Sequence, residues 1–246
     1  MDFTQYVDRL SEQGDAMRAA AVAAGPEAMV PTCPEWTVHK LVRHMARVHQ
    51  WAGKALLADP DGEAPAPDEP PPAWDELLGW WDEQRATLLG RLTERGADAP
   101  AWTFIPELSR TAAFWARRQT HETAIHRLDA EHALAGAEPV DPLLFDPELA
   151  ADGLDEALRW MIPRRMARTP ATVSGTVLFH AADAGQAWLV RVRPGQPPEV
   201  GPAEPGMAAD ASVVGTADAV YRAAWHRPSH AVKGGDLTLI TALRTP

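Results

Sequence analysis

The side chains best suited to chemistry gather in two short stretches. One is His121-Glu122-Thr123-Ala124-Ile125-His126, with Asp129 just beyond it. Its histidines are five residues apart, so on a helix they diverge by about 140° and do not form the H-E-x-x-H pair that grips one ion. Glu122 and His126 are four apart and therefore stack one turn above each other on a single face. A carboxylate and an imidazole arranged this way can chelate a metal at about 2.0–2.2 Å. Asp129, one turn further on, can orient the imidazole from behind. The other stretch offers His39, His44 and His49. His44 sits at one edge of an apolar stripe that includes Leu41 and Val48, and His49 sits at the opposite edge. Periodicity does not choose between them as a third ligand. Three protein ligands with an open fourth position is the catalytic arrangement for zinc, whereas a closed set of four is structural. The plainer alternatives are an i,i+4 surface pair for Glu122 and His126 and a hydrogen-bonded core histidine for His44. His121 shares a face with Phe114, Ile125 and Leu128 and reads as packing. Cys33, the sole cysteine, precedes a proline and a helix start, where a thiol pKa can be lowered. With no partner in the sequence it reads as inert.

These residues require helices to position them, and the first two-thirds of the chain has helical spacing. Phe3, Tyr6, Val7, Leu10, Met17 and Ala21 mark a helix that Gly25-Pro26 ends. Thr37 is placed to cap a second, with Val38, Leu41, Met45, Val48 and Ala52 on one stripe. Residues 59–72 (DPDGEAPAPDEPPP) are too rich in proline for helix or sheet, and read as a surface crossover between antiparallel helices. A third helix is expected from about Trp74 to Thr93, a fourth from about Thr111 to Leu134, and helical pattern returns at Pro147–Arg165. Near Ala171 the period changes to two. Val177 and Phe179, then Trp188, Val190 and Val192, alternate with polar neighbours across the Asp183-Ala184-Gly185 turn. A loop over 193–206, a strand at Ser212–Val214 and a Thr216-capped helix to about Trp225 follow. The Lys233-Gly234-Gly235-Asp236 turn is expected to join two final strands. Helices segregated before strands give an α+β fold class: a four-helix bundle over 1–168 and a small α+β domain over 169–246.

Composition removes whole classes of function. The chain has 246 residues, 23 Lys+Arg against 34 Asp+Glu and a net charge of −11; a nucleic-acid partner would instead demand a basic face. No apolar run is long enough to cross a bilayer, and the acidic, amphipathic start MDFTQYVDRL is not a signal peptide. A single cysteine suits a reducing compartment, so a cytoplasmic location is expected. With 46% hydrophobic residues the chain can bury a real core. Only Lys40, Lys54 and Lys233 are lysines, a bias of GC-rich coding that carries no anion-binding message. Ten tryptophans against two tyrosines point mostly to core, and Trp80-Trp81 should give one ring to the core and one to a groove or the surface.

Several segments, taken in order, resemble the mycothiol-dependent maleylpyruvate isomerase family. They are Pro31-Thr32-Cys33-Pro34-Glu35-Trp36-Thr37-Val38 with Leu41-Val42-Arg43-His44, then Phe114-Trp115 through His121-Glu122, His126-Arg127 and Asp129-Ala130-Glu131. In the C-terminal half they are Val177-Leu178-Phe179-His180, Asp183-Ala184, Trp188, Gly215-Thr216-Ala217, Trp225-His226-Arg227-Pro228 and Gly235-Asp236. The resemblance spans nearly the whole chain and implies a DinB-like helical bundle followed by a sterol-carrier-like α+β domain. It places the zinc ligands at His44, Glu122 and His126, and by position it assigns a substrate-binding arginine to Arg227. His226 departs from it, because a small residue, often glycine, is expected there. The resemblance also implies mycothiol as a cosubstrate whose thiolate, formed at the metal, adds to an activated carbon–carbon double bond. Rotation and elimination then give the trans acid, and an electrophile bearing a leaving group would undergo S-transfer instead. Arg227 would hold a substrate carboxylate. A His₂–carboxylate set also suits other divalent first-row metals. Two further readings compete: a metal-binding sensor without catalysis, and a metal-assisted hydrolase.

Overall fold

Asp2 opens the first helix, α1 (Phe3–Ala24), with a reciprocal cap: its carboxylate accepts the Gln5 backbone N–H while the Gln5 side chain accepts that of Asp2. The computed structural model describes residues 1–136, 140–141, 143–243 and 245. Thr37 caps α2 (Val38–Ala55). Asp75 and Glu76 lie in the first turn of α3 (Trp74–Arg95), where the helix dipole favours negative charge. The longest helix, α4 (Ala112–Ala135), runs to Gly136, whose positive φ closes it. By contacts the chain divides into two compact units, residues 1–140 and 141–246.

Side-chain pairs fix the direction of each helix in the first unit. The Thr120 hydroxyl donates to the Tyr6 carbonyl and Arg127 to Gln13, so α1 and α4 run parallel. His39 faces Trp74, the Trp81 indole bonds His49, and Arg91 donates to the Gly53 carbonyl, so α2 and α3 are parallel as well. The two pairs oppose each other through Arg18–Asp82 and through His44–Glu122. This corrects the expectation of antiparallel helices flanking the proline-rich stretch. Parallel neighbours need a connection that travels the whole helix length, about 27 Å for the 18 residues of α2, and residues 56–73 make that return. They run back along α2: Trp51 donates to Pro65, Gln50 and Lys54 to Asp68, Arg43 to Glu69, and His39 meets the Pro72 carbonyl. Met17, Leu41, Met45, Leu77 and Trp81 fill the bundle core, each contributing about 1.5–3 kcal/mol by burial. Trp80 packs at its edge, as the Trp80-Trp81 reading anticipated. Trp51, Trp102, Phe104, Phe114 and Trp115 form an aromatic cluster where α2 ends and α4 begins, with Trp51 stacked on Phe104 and the other contacts edge to face.

In the second unit, α5 (Pro147–Glu156) leads through a π-helical stretch (Ala157–Met161) into α6 (Ile162–Arg168). The helix widens just ahead of Pro163, which has no N–H to return to the preceding turn. Five strands follow: β1 (Gly175–Ala181), β2 (Gln186–Val192), β3 (Glu199–Pro202), β4 (Ala211–Gly215) and β5 (Val232–Gly235). Their order is β3-β2-β1-β4-β5, with β1–β4 parallel and the other pairs antiparallel. Helix α7 (Ala217–Ala224) joins β4 to β5, and α8 (Leu237–Ala242) follows β5. Three expectations change here. The helical segment 147–168 belongs with the sheet unit, because α5 packs on α7, so the boundary falls at 140/141 and not at 168/169. The loop over 193–206 contains the short edge strand β3. After Gly235 the chain turns into helix, not strand, because the Asp236 carboxylate accepts the Thr238 N–H and caps α8. An open groove of about 520 Å³ lies between the end of α6 and α8, lined by threonines and aliphatics, and contains none of the candidate site residues.

Candidate metal centre

The fourth helix carries Arg118, Glu122 and His126 at successive i,i+4 positions, which makes one charged stripe on an otherwise buried rod. Opposite it, α2 presents His44. The ring nitrogen Nε2 of His44 lies 3.0 Å from Glu122 Oε1, and Nε2 of His126 lies 3.6 Å from the same oxygen. One ligand atom from each of these three residues falls within 4.8 Å of the others. Donors at 2.0–2.2 Å around a tetrahedral ion stand about 3.3–3.6 Å apart, so the donor set fits a small divalent cation. The structure thus brings together the three residues named as ligands, and the two imidazoles meet edge to face at 4.9 Å between centroids.

Other side chains set the state of each donor. Asp129, fully buried, accepts from His126 Nδ1 at 2.8 Å, which leaves Nε2 facing Glu122 and His44. The same carboxylate accepts from the Thr32 hydroxyl at 2.5 Å and from the Cys33 thiol at 3.7 Å. It thereby ties the loop ahead of α2 to the helix that carries His126. Burial draws the His126 pKa down, but the hydrogen bonds to Asp129 and Glu122 outweigh it and raise the ring to about 9. Burial pushes Glu122 upward, yet Arg118 and the two histidines hold it well below the usual carboxylate range. Trp36 stacks on the His126 ring at 5.9 Å and tilts over His44 at 5.1 Å, so one indole covers both imidazoles.

His49, the rival to His44, is spent elsewhere. Its Nδ1 accepts the Trp81 indole N–H, a group that can only donate, so its Nε2 carries the proton and donates to the Thr123 hydroxyl. Complete burial, with the Arg85 charge adding to it, lowers its pKa to about 3 and keeps the ring neutral. His121 is fully buried and meets Tyr6 edge-on, which agrees with its reading as packing. Arg227 lies in the second unit just after α7, where its Nη1 donates to the Trp225 carbonyl. His226 has a φ of +56°, the left-handed region, which is why a glycine suits that position. Its Nε2 bonds the Leu243 carbonyl at 2.7 Å. Arg118 and Trp36 were missed from sequence. The signal for Arg118 was present, since it stands one turn before Glu122 just as His126 stands one turn after it. Trp36 lies in a loop, where no periodicity reports direction.

A helical bundle with a His₂–carboxylate cluster inside it, followed by a small α+β unit, defines the class of protein. Residues 7–131 match the mycothiol maleylpyruvate isomerase N-terminal domain, and residues 148–242 match the MDMPI C-terminal domain. The chain belongs to this family. Two crystal structures of mycothiol-dependent maleylpyruvate isomerase share its fold. One, of a histidine-to-alanine mutant, is 16% identical with a TM-score of 0.61; the other is 17% identical with a TM-score of 0.59. Each alignment covers 95% of this chain and 93% of the other. No curated protein sequence matches the chain.

Proposed function

We propose that this protein is a metal-dependent enzyme that uses mycothiol, or a closely related low-molecular-weight thiol, to isomerise a small electrophilic acid of the maleylpyruvate kind. The observation that carries the reading is the convergence of His44, Glu122 and His126 from two separate helices in a chain of this family. His44, Glu122 and His126 would hold the cation, zinc by preference. Asp129 keeps the His126 proton on Nδ1, so Nε2 is the donor. Trp36 packs against both imidazoles and helps hold their orientation. When bound, the metal lowers the pKa of an incoming thiol, so that a thiolate is available to add to the double bond and to leave again after rotation. Arg227 is, on the family resemblance, the group that binds a substrate carboxylate.

Metal analysis and thiol titration of the purified full chain test the proposal. Stoichiometric metal, together with mycothiol binding that disappears in Glu122→Ala, is the expected result. Metal without thiol affinity would favour a metal-assisted hydrolase or a sensor, and absence of metal would overturn the reading altogether.

A further inference from the structure

The two oxygens of Glu122 face different partners. Oε2 accepts from the Arg118 guanidinium, while Oε1 points at His44 Nε2 and His126 Nε2. The Arg118 side chain is only 3% exposed, and it stands one turn from Glu122 on the same helix, so it has little room to swing away. We infer that Arg118 is a positioning residue that makes Glu122 a one-oxygen ligand and so keeps a coordination position open for the thiol. This rests on the metal reading of the site.

The argument is one of geometry and charge. A free carboxylate beside a divalent ion can bind through both oxygens, and the second oxygen would take the place a substrate atom needs. A guanidinium on Oε2 removes that oxygen from competition by a charge-assisted hydrogen bond. It also offsets the single negative charge among the ligands. The cation then keeps more of its own charge to act on an incoming thiol. An ordinary i,i+4 ion pair would leave no trace in coordination number; this role does.

The test uses full-length protein loaded with Co²⁺, whose visible absorption weakens as coordination rises from four to five or six. Arg118→Met is expected to bind Co²⁺ with an absorptivity about twofold lower than wild type, and to add bound mycothiol less readily. Arg118→Lys, which keeps one charged donor, should recover most of the wild-type spectrum. An unchanged spectrum in a folded Arg118→Met overturns the inference while leaving the metal site intact. Should Arg118→Met not fold, Arg118→Lys and Arg118→Gln decide by the same spectrum, the lysine resembling wild type and the glutamine not. Wild-type protein that takes up no Co²⁺ would instead bring down the metal reading itself, and this inference with it.

Discussion

At the scale of single residues, the candidate centre is a chain of alternating charge: Arg118, Glu122, His126 and Asp129 along one helix, with His44 completing it from another. This arrangement has a measurable consequence in metal-free protein. His126 is raised to about 9 when folded against about 6.5 unfolded. Its protonated form therefore stabilises the fold fully below about pH 6.5, and that contribution disappears as pH rises through about 9. The loss is on the order of 3 kcal/mol. Chemical denaturation of chelator-treated protein at pH 6.5 and 9 should show it, and His126→Gln should flatten the difference. Metal binding should run the opposite way, tightening as pH rises, because the cation must displace that proton. His226 yields a second prediction. Its left-handed backbone costs roughly 1–2 kcal/mol, and its ring bond to Leu243 returns about 1 kcal/mol. Replacement by glycine should be nearly neutral in urea unfolding. Replacement by alanine, which keeps the strain and loses the bond, should cost about 1 kcal/mol or more.

At the scale of elements, the least forgiving joint is where β5 meets β4. Gly235 pairs with Ala211 at φ +74°, and a Cβ there would lie 2.1 Å from the Asp210 carbonyl oxygen. Backbone on one side and strand pairing on the other leave nothing flexible to move. Asp210 also accepts from the Thr176 backbone and hydroxyl, so a shift would be felt in β1. Gly235→Ala should cost roughly 3 kcal/mol or more and, by loosening the β4–β5 pairing that holds the already exposed Lys233, speed trypsin cleavage there; a loss below about 1 kcal/mol would contradict this account. Legibility in the sequence follows the same physics. Helix ends at Asp2, Thr37 and Gly136 are set by local capping, so α1, α2 and α4 could be placed within a few residues. Glu122 and His126 were readable because four residues make one turn. His44 was separable from His49 only by resemblance, since the Trp81 and Thr123 partners that claim His49 come from other helices. The parallel course of α2 and α3 was hidden because the 56–73 return is held by scattered side-chain bonds, not by a repeating pattern. The helix after Gly235 was hidden because six residues are too few to show a period of 3.6.

At the scale of the whole molecule, the division at 140/141 puts the three candidate ligands in one unit and the five-stranded sheet in the other. A ligand stabilises only the states that bind it, by about 2.7 kcal/mol at a concentration 100 times its dissociation constant. Amides that exchange only through unfolding of the first unit should therefore slow by about 100-fold when zinc is added at that excess. The slowing should centre on α2 and α4, which hold His44, Glu122 and His126, and extend through the shared core to Met17 and Trp81. Amides of β1, β2 and β4 lie in the unit that does not contain the three candidate ligands and should keep their rates. Hydrogen exchange read by mass spectrometry, with and without zinc, resolves the two sets in one experiment. Equal slowing in both units would mean that they unfold as one cooperative body. Slowing confined to the sheet would place the cation somewhere other than the helical bundle.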